Sequence, residues 1–199
     1  MVAVESRRVA RSGCAMIAIG SSTGGVEALQ ILLKDFPADC PPTVIVQHVN
    51  PRFAPAIART LDMATTATVQ LAEPDMPLRS GHIYLAPGGD RHLTVAGSGT
   101  FHARLRPGQP VCGHQPSVDV LFKSVADCVG PLAVGVLLTG MGTDGAQGLL
   151  ALSRAGAHTI AQDEASCVVF GMPKEAIRLD AAERVISLDE VPRAILHAA

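Results

Sequence analysis

Short, uninterrupted apolar runs recur along this chain, and most are bounded by glycine or proline rather than threaded with alternating polar residues. Ala15–Ile19, Thr43–Gln47 and Ala133–Leu138 are of this kind. Runs rich in Val, Ile, Leu and Ala predict strands buried on both faces, as in parallel sheets covered by helices. Between them, apolar positions return with helical spacing. Val26, Leu29, Leu32 and Leu33 follow the first run, and Pro55 to Leu61 predicts a helix after the second. Val118, Leu121, Val125 and Cys128 share a helical face, with Ser117 placed as N-cap and Gly130 as stop. The loop Thr139–Gly145 leads into a helix ending near Gly156. His158–Ala161 and Val185–Leu188 predict two more strands, and Asp189 is placed to cap a final helix.

Such alternation predicts an α/β fold: an open, doubly wound, mostly parallel sheet. From Gly81 to Leu105 the texture changes. His82–Ala86, Leu93–Ala96 and Phe101–Leu105 are short strand-like pieces separated by Pro87-Gly88-Gly89 and Gly97-Ser98-Gly99. They predict an antiparallel β-hairpin or meander inserted in the α/β pattern. Residues 1–13 are polar, Arg-rich and aperiodic, and read as a tail or linker remnant; residues 14–199 make one domain.

Composition narrows the picture. Hydrophobic residues make up 48% of the 199 and charged residues 17%, which excludes a disordered chain. A net charge of −2 leaves no basic field for nucleic acid. The longest uncharged stretch, Val129–Thr143, contains Pro131 and several glycines. It is shorter than the roughly 18 apolar residues a membrane span needs. The apolar run after Arg7, Arg8 and Arg11 is too short for a signal-peptide core. A soluble cytoplasmic protein with no direct membrane insertion is expected. Cys14, Cys40, Cys112, Cys128 and Cys167 form neither a disulfide framework nor zinc-ligand spacing, so no metal site is expected.

In doubly wound sheets, ligands bind beyond the carboxyl ends of the strands, where strand order reverses. Ser22 lies in the turn Gly20–Gly25, His48 directly follows Gln47, and Asp144 lies in Thr139–Gly145. A Ser, a His and an Asp thus leave three predicted strands at one edge, the inventory of nucleophile, general base and orienting carboxylate for cleaving an ester or amide. Each also has a plainer reading. The Gly-rich turn can be a phosphate cradle or a mere loop, His48 a structural histidine, and Asp144 a helix cap. A non-catalytic or phosphate-binding module on the same fold therefore stays open. Against it, Gly20–Gly25 fits neither G-x-G-x-x-G nor a Walker A loop. His82, His92 and His102 are expected on the surface or rim of the hairpin region, and Asp163 and Glu164 on the cleft rim. His114 and Asp119 flank Pro116-Ser117, with Ser117 and Asp119 in a helix's first turn.

Six separated motifs carry a resemblance. They are Ile19-Gly20-Ser21-Ser22-Thr23-Gly24-Gly25, Gln47-His48, His82 to Gly88, Gln115 to Phe122, Leu138 to Gly145, and Ala165 to Pro173. In this order they resemble the catalytic domain of the chemotaxis receptor methylesterases (CheB type), from roughly Ala15 to Val191. The resemblance implies Ser22 rather than Ser21 as nucleophile, His48 as base and Asp144 as orienting carboxylate. It also implies the backbone N–H groups of Thr23 and Met141 as oxyanion donors. The implied reaction demethylates γ-glutamyl methyl esters on cytoplasmic helices of chemoreceptors, releasing methanol. Many family members also deamidate receptor glutamines, and no cofactor is implied.

Two features depart from the family pattern. Residues 1–13 are too few for the receiver domain that usually precedes this one, so constitutive activity, indifferent to phosphoryl donors, is expected. Val49-Asn50 follows His48 where the family carries Met-Pro or Leu-Pro. Asn50 is placed near the predicted substrate edge. With the cleft expected to be open, substrate selection is expected to rest on its rim, for which Asn50, Arg52 and the hairpin around Gly88 to His92 are the candidates.

Overall fold

The computed structural model describes residues 13–198; the stretch holding Arg7, Arg8 and Arg11 lies outside them. In chain order the elements are β1 (Met16–Ser21), α1 (Gly25–Leu33), β2 (Thr43–Gln47), α2 (Ala54–Asp62), β3 (Thr68–Leu71) and β4 (His82–Leu85). Next come β5 (Arg91–Ser98), β6 (Thr100–Pro107), α3 (Val118–Cys128), β7 (Ala133–Leu137) and α4 (Ala146–Arg154). The chain closes with β8 (His158–Gln162), α5 (Met172–Arg178), β9 (Arg184–Ile186) and α6 (Val191–Ala198).

Seven strands pair in the order β3-β4-β2-β1-β7-β8-β9, every pairing parallel. β5 and β6 form a separate antiparallel pair. This is the expected doubly wound sheet with an inserted hairpin. The central strands are apolar throughout because each faces a core on both sides. Along β1, Met16 and Ala18 pack with Val118, Leu121, Leu149 and Met172, residues of α3, α4 and α5. Ile17 and Ile19 pack on the other face with Leu29, Leu61 and Ile195, residues of α1, α2 and α6. Each fully buried Leu or Ile of this kind contributes roughly 1.5–3 kcal/mol.

Three sequence expectations shift. His82–Ala86 does not belong to the inserted hairpin; β4 lies inside the main sheet between β3 and β2, where Ile83, Tyr84 and Leu85 are buried. Its apolar run obeys the same two-faced rule as β1. β3, an edge strand, and α5 are additions that no strong period announced. His92 is not a surface residue: it is 4% exposed, its Nε2 lies 3.0 Å from the Gln109 carbonyl, and its Nδ1 accepts the Ser117 N–H at 3.1 Å.

The hairpin packs Leu93, Val95 and Ala103 into the same cluster as α3, and the Val95 N–H donates to Ser124 Oγ at 2.9 Å. It braces α3 against the sheet. Gly20 on β1 permits the close approach of that helix, since a Cβ there would stand 2.2 Å from Val118 Cγ1. Among the described residues no helix is long and apolar enough to cross a membrane.

Candidate active site

β2, β1 and β7 are the three central strands, and Ser22, His48 and Asp144 follow their carboxyl ends. The register aligns Ser21 with Gln47 and Gly20 with Leu137, so the three chains leave the sheet at nearly one level. Ser22 and Asp144 flank the point between β1 and β7 where the winding reverses.

Asp144 is wholly buried and accepts four hydrogen bonds. Oδ1 takes Ser117 Oγ–H at 2.7 Å and the Asp119 N–H at 3.0 Å. Oδ2 takes the Val118 N–H at 2.8 Å and His48 Nε2 at 2.8 Å. Two of these donors are free N–H groups of the first turn of α3, which a negative charge at a helix N-terminus satisfies. Burial pushes the carboxyl up, but the hydrogen bonds from His48, Asp119, Ser117 and Val118 outweigh it and hold its pKa below the ordinary value. Asp144 is therefore an anion. Ser117 caps α3 as expected, and it also belongs to the carboxylate's cradle.

The His48 side chain is 8% exposed. An ionised Asp144 can only accept, so Nε2 carries a hydrogen, and in the neutral imidazole Nδ1 then keeps a lone pair. That Nδ1 is buried and has no hydrogen-bond partner among the described residues. A buried, unpaired acceptor is costly unless a donor comes to it.

The two serines differ sharply. Ser21 is fully buried and donates its hydroxyl to Gln47 Oε1 at 2.7 Å. Ser22 is half-buried, and its hydroxyl forms no hydrogen bond among the described residues, to His48 or to any other group. Gln47 Nε2 donates to the carbonyls of Ser22 and His48, both at 2.9 Å, and the His48 N–H donates to the Ser21 carbonyl at 3.0 Å. One buried amide thus joins the ends of β1 and β2.

On the other side, the Ser22 N–H donates to the Thr139 carbonyl at 3.0 Å, and Thr139 Oγ1 donates to the Thr23 carbonyl at 3.0 Å. Thr139 Oγ1 also accepts the Val169 N–H, drawing in the loop before α5. Gly140 presses against the serine: a Cβ there would stand 2.7 Å from Ser22 Cβ and 2.3 Å from Met172 Sδ. The N–H groups of Thr23 and of Met141, the next residue after Gly140, donate to no protein acceptor among the described residues.

Three positioning features escaped the sequence. Gln47 had one faint sign, a polar residue ending an apolar strand. The Ser117–Asp119 cradle was read only as a helix start. His114 was read only as flanking Pro116-Ser117, yet its ring stacks on His48 with centroids 3.7 Å apart and planes 8° from parallel. Asp163, expected on the rim, accepts the Ser166 N–H and Oγ–H and serves its own turn. Cys112, Asp119 and Asp144 bring one ligand atom each within 4.8 Å of one another. Both Asp144 oxygens are already occupied, and Asp119 Oδ1 takes the Gly148 N–H at 2.6 Å. On the rim, Asn50 and Arg52 are exposed, and Gly88 lies against Pro51.

An open parallel sheet carrying a serine, a histidine–carboxylate pair and free backbone amides at one edge has the parts of a triad-type hydrolase. Residues 17–195 match the family described as CheB methylesterase, and the chain belongs to that family. It is 55% identical over 184 residues to a Caulobacter vibrioides protein-glutamate methylesterase/protein-glutamine glutaminase, covering 92% of this chain and 54% of that one. An Agrobacterium fabrum protein of the same description is 52% identical over 186 residues, covering 94% and 53%. The chain spans about half the length of these curated relatives. The crystal structure of the Thermotoga maritima CheB methylesterase catalytic domain superposes with a TM-score of 0.90 at 34% identity, covering 95% of this chain and 100% of that one.

Proposed function

We propose that this chain is a cytoplasmic serine hydrolase that demethylates γ-glutamyl methyl esters on chemoreceptors, releasing methanol, and deamidates receptor glutamines. Ser22 is the nucleophile, His48 the base and Asp144 the orienting carboxylate. The observation that carries the reading is the His48–Asp144 pair, which leaves a buried Nδ1 without a partner among the described residues, on a histidine whose backbone N–H donates to the Ser21 carbonyl next to Ser22. Family membership and the relatives' described activities support the substrate class.

The chemistry follows from the hydrogen positions. In the familiar Ser-His-Asp enzymes the carboxylate holds Nδ1 and Nε2 faces the serine; here Nε2 is held, so Nδ1 is the base atom. It takes the Ser22 proton as Oγ attacks the ester carbonyl. Asp144 stabilises the imidazolium, while the Thr23 and Met141 N–H groups receive the oxyanion. Nδ1 then returns the proton to the departing oxygen, giving methanol, or to the departing nitrogen, giving ammonia. Water, deprotonated by the same Nδ1, attacks the acyl carbonyl. The bond to Ser22 Oγ breaks, Nδ1 returns the proton to Oγ, and the glutamate side chain of the substrate protein is freed. An unbonded serine in the free protein is compatible with this, since catalytic hydrogen bonds tighten when substrate arrives.

The test is methanol release from receptor-containing membranes carrying labelled methyl esters. Release by the chain, abolished in Ser22→Ala, is the expected result. Turnover that survives Ser22→Ala would overturn the assignment.

A further inference from the structure

We infer that His114 is a positioning residue for the base: its ring, laid flat on the His48 imidazole, fixes the plane in which Nδ1 is presented to Ser22. The inference rests on the proposed function and deepens it. A hydrogen bond fixes one point of a ring but not its plane. Among the described residues His48 has a single such anchor, Nε2 on Asp144 Oδ2 at 2.8 Å, and Nδ1 has no partner to supply a second. Turning the ring about its Cβ–Cγ bond moves Nδ1 further than Nε2, which lies nearer that axis, so it can swing Nδ1 away from the serine while stretching the Asp144 bond little. The His114 ring, 3.7 Å away and 8° from parallel, opposes that rotation.

The support under His114 is itself rigid. Val111 and His114 exchange backbone hydrogen bonds of 3.0 and 2.9 Å, closing a tight turn at Cys112 and Gly113. Both turn residues have positive φ, 50° and 79°, the geometry of a type I′ hairpin. Cys112 is not glycine, and a side chain held in the left-handed region is a strain that persists only where surroundings over-determine it. The flanking chain is pinned as well. Gln115 Nε2 donates to the carbonyls of Asp90 and Gly108 at 2.8 and 3.0 Å, and the Ser117 N–H donates to His92.

The same short stretch therefore controls the base twice. His114 lies on the face of the ring, and Ser117, Val118 and Asp119 grip the carboxylate that holds its edge. His114 is also suited to remain neutral beside an imidazolium, because burial and then the neighbouring His48 both disfavour its charged form.

The experiment reads the rate at which a fluorophosphonate probe modifies Ser22; Oγ bonds to phosphorus, fluoride leaves, and His48 accepts the hydroxyl proton. This needs an activated serine but no receptor. His114→Phe keeps a planar ring, whereas His114→Ala and His114→Leu do not; Leu fills the space if Ala destabilises the fold. Modification about 10–100-fold slower in Ala and Leu is expected, the scale of a misplaced catalytic group. His114→Phe should stay within about threefold of the parent. With methylated receptor as substrate, the loss in the Ala and Leu variants should fall on kcat and leave KM unchanged. Parent-like rates in Ala and Leu would overturn the inference, as would a Phe variant as slow as Ala. Failure of the parent protein to react at all would instead strike the proposed function.

Discussion

Replacing Asp144 with Asn separates the two tasks of this carboxylate, holding α3 and holding His48. Each oxygen accepts one backbone N–H of the helix, Val118 on Oδ2 and Asp119 on Oδ1. An amide in either orientation therefore turns its NH2 against one of them. One helix donor and one amide donor lose their acceptors, at about 1–3 kcal/mol each, so a loss of about 2–6 kcal/mol is expected. At roughly 2–4 °C per kcal/mol for a domain of this size, Tm falls by about 5–20 °C, and the protein still folds at room temperature. Catalysis suffers more. With NH2 toward His48, the imidazole must place its hydrogen on Nδ1 and cannot accept the serine proton; in the other orientation the charge that stabilises the imidazolium is gone. A fall in kcat of roughly 10³–10⁴-fold follows.

Calorimetry and methanol release measure the two effects. The pH dependence adds a third reading. The Asp144 pKa is lowered in the folded protein, so its stabilisation is present above the unfolded value, near 3.8, and is lost as pH falls through the lower folded value. Asp144→Asn should lack that acid-limb loss. A variant with Tm within about 2 °C of the parent and activity within tenfold would refute the clamp on α3 and the role of Asp144 together.

Ser22→Ala should remove nearly all turnover, on the order of 10⁴-fold or more. Ser21→Ala, which loses the hydroxyl bond to Gln47, should cost only about 1 kcal/mol of stability and a modest part of the rate; the reverse ranking in methanol release would reassign the nucleophile. Gly140→Ala should fold yet cut kcat by roughly 10²-fold, because the new methyl meets Ser22 Cβ and Met172 Sδ; an unchanged kcat would show that Ser22 tolerates displacement. Burial, and then Asp144, raise the Asp119 pKa, so its contribution to stability is present below the unfolded value, near 3.8, and lost as pH rises through the folded one. Urea midpoints of Asp119→Asn relative to the parent should therefore rise across that window, and a flat difference would count against the assigned shift.

The chain's local patterns are enough to define the central strands and the edge where chemistry collects. Ala15–Ile19, Thr43–Gln47 and Ala133–Leu138 are apolar on every residue but the first and last of the second, and only strands covered on both faces need that. Ser22, His48 and Asp144 each follow such a run within a few residues, so their placement at one edge is a matter of period and punctuation. The His82–Ala86 run carried the same signature as β1, and its nearness to two glycine-rich turns misdirected it to the hairpin. Only the tertiary structure decided how the candidate groups are held. His48 and Asp144 are 96 residues apart, and which ring nitrogen meets the carboxylate depends on the angle between two loops. The cradle under Asp144 exists because Gly20 lets Val118 approach β1, and the stack on His48 because a turn at Cys112 and Gly113 folds His114 back over it. Such contacts join segments with no local period in common, which is why a buried His92, a clamping Gln47 and a stacked His114 look in the sequence like any other polar residues.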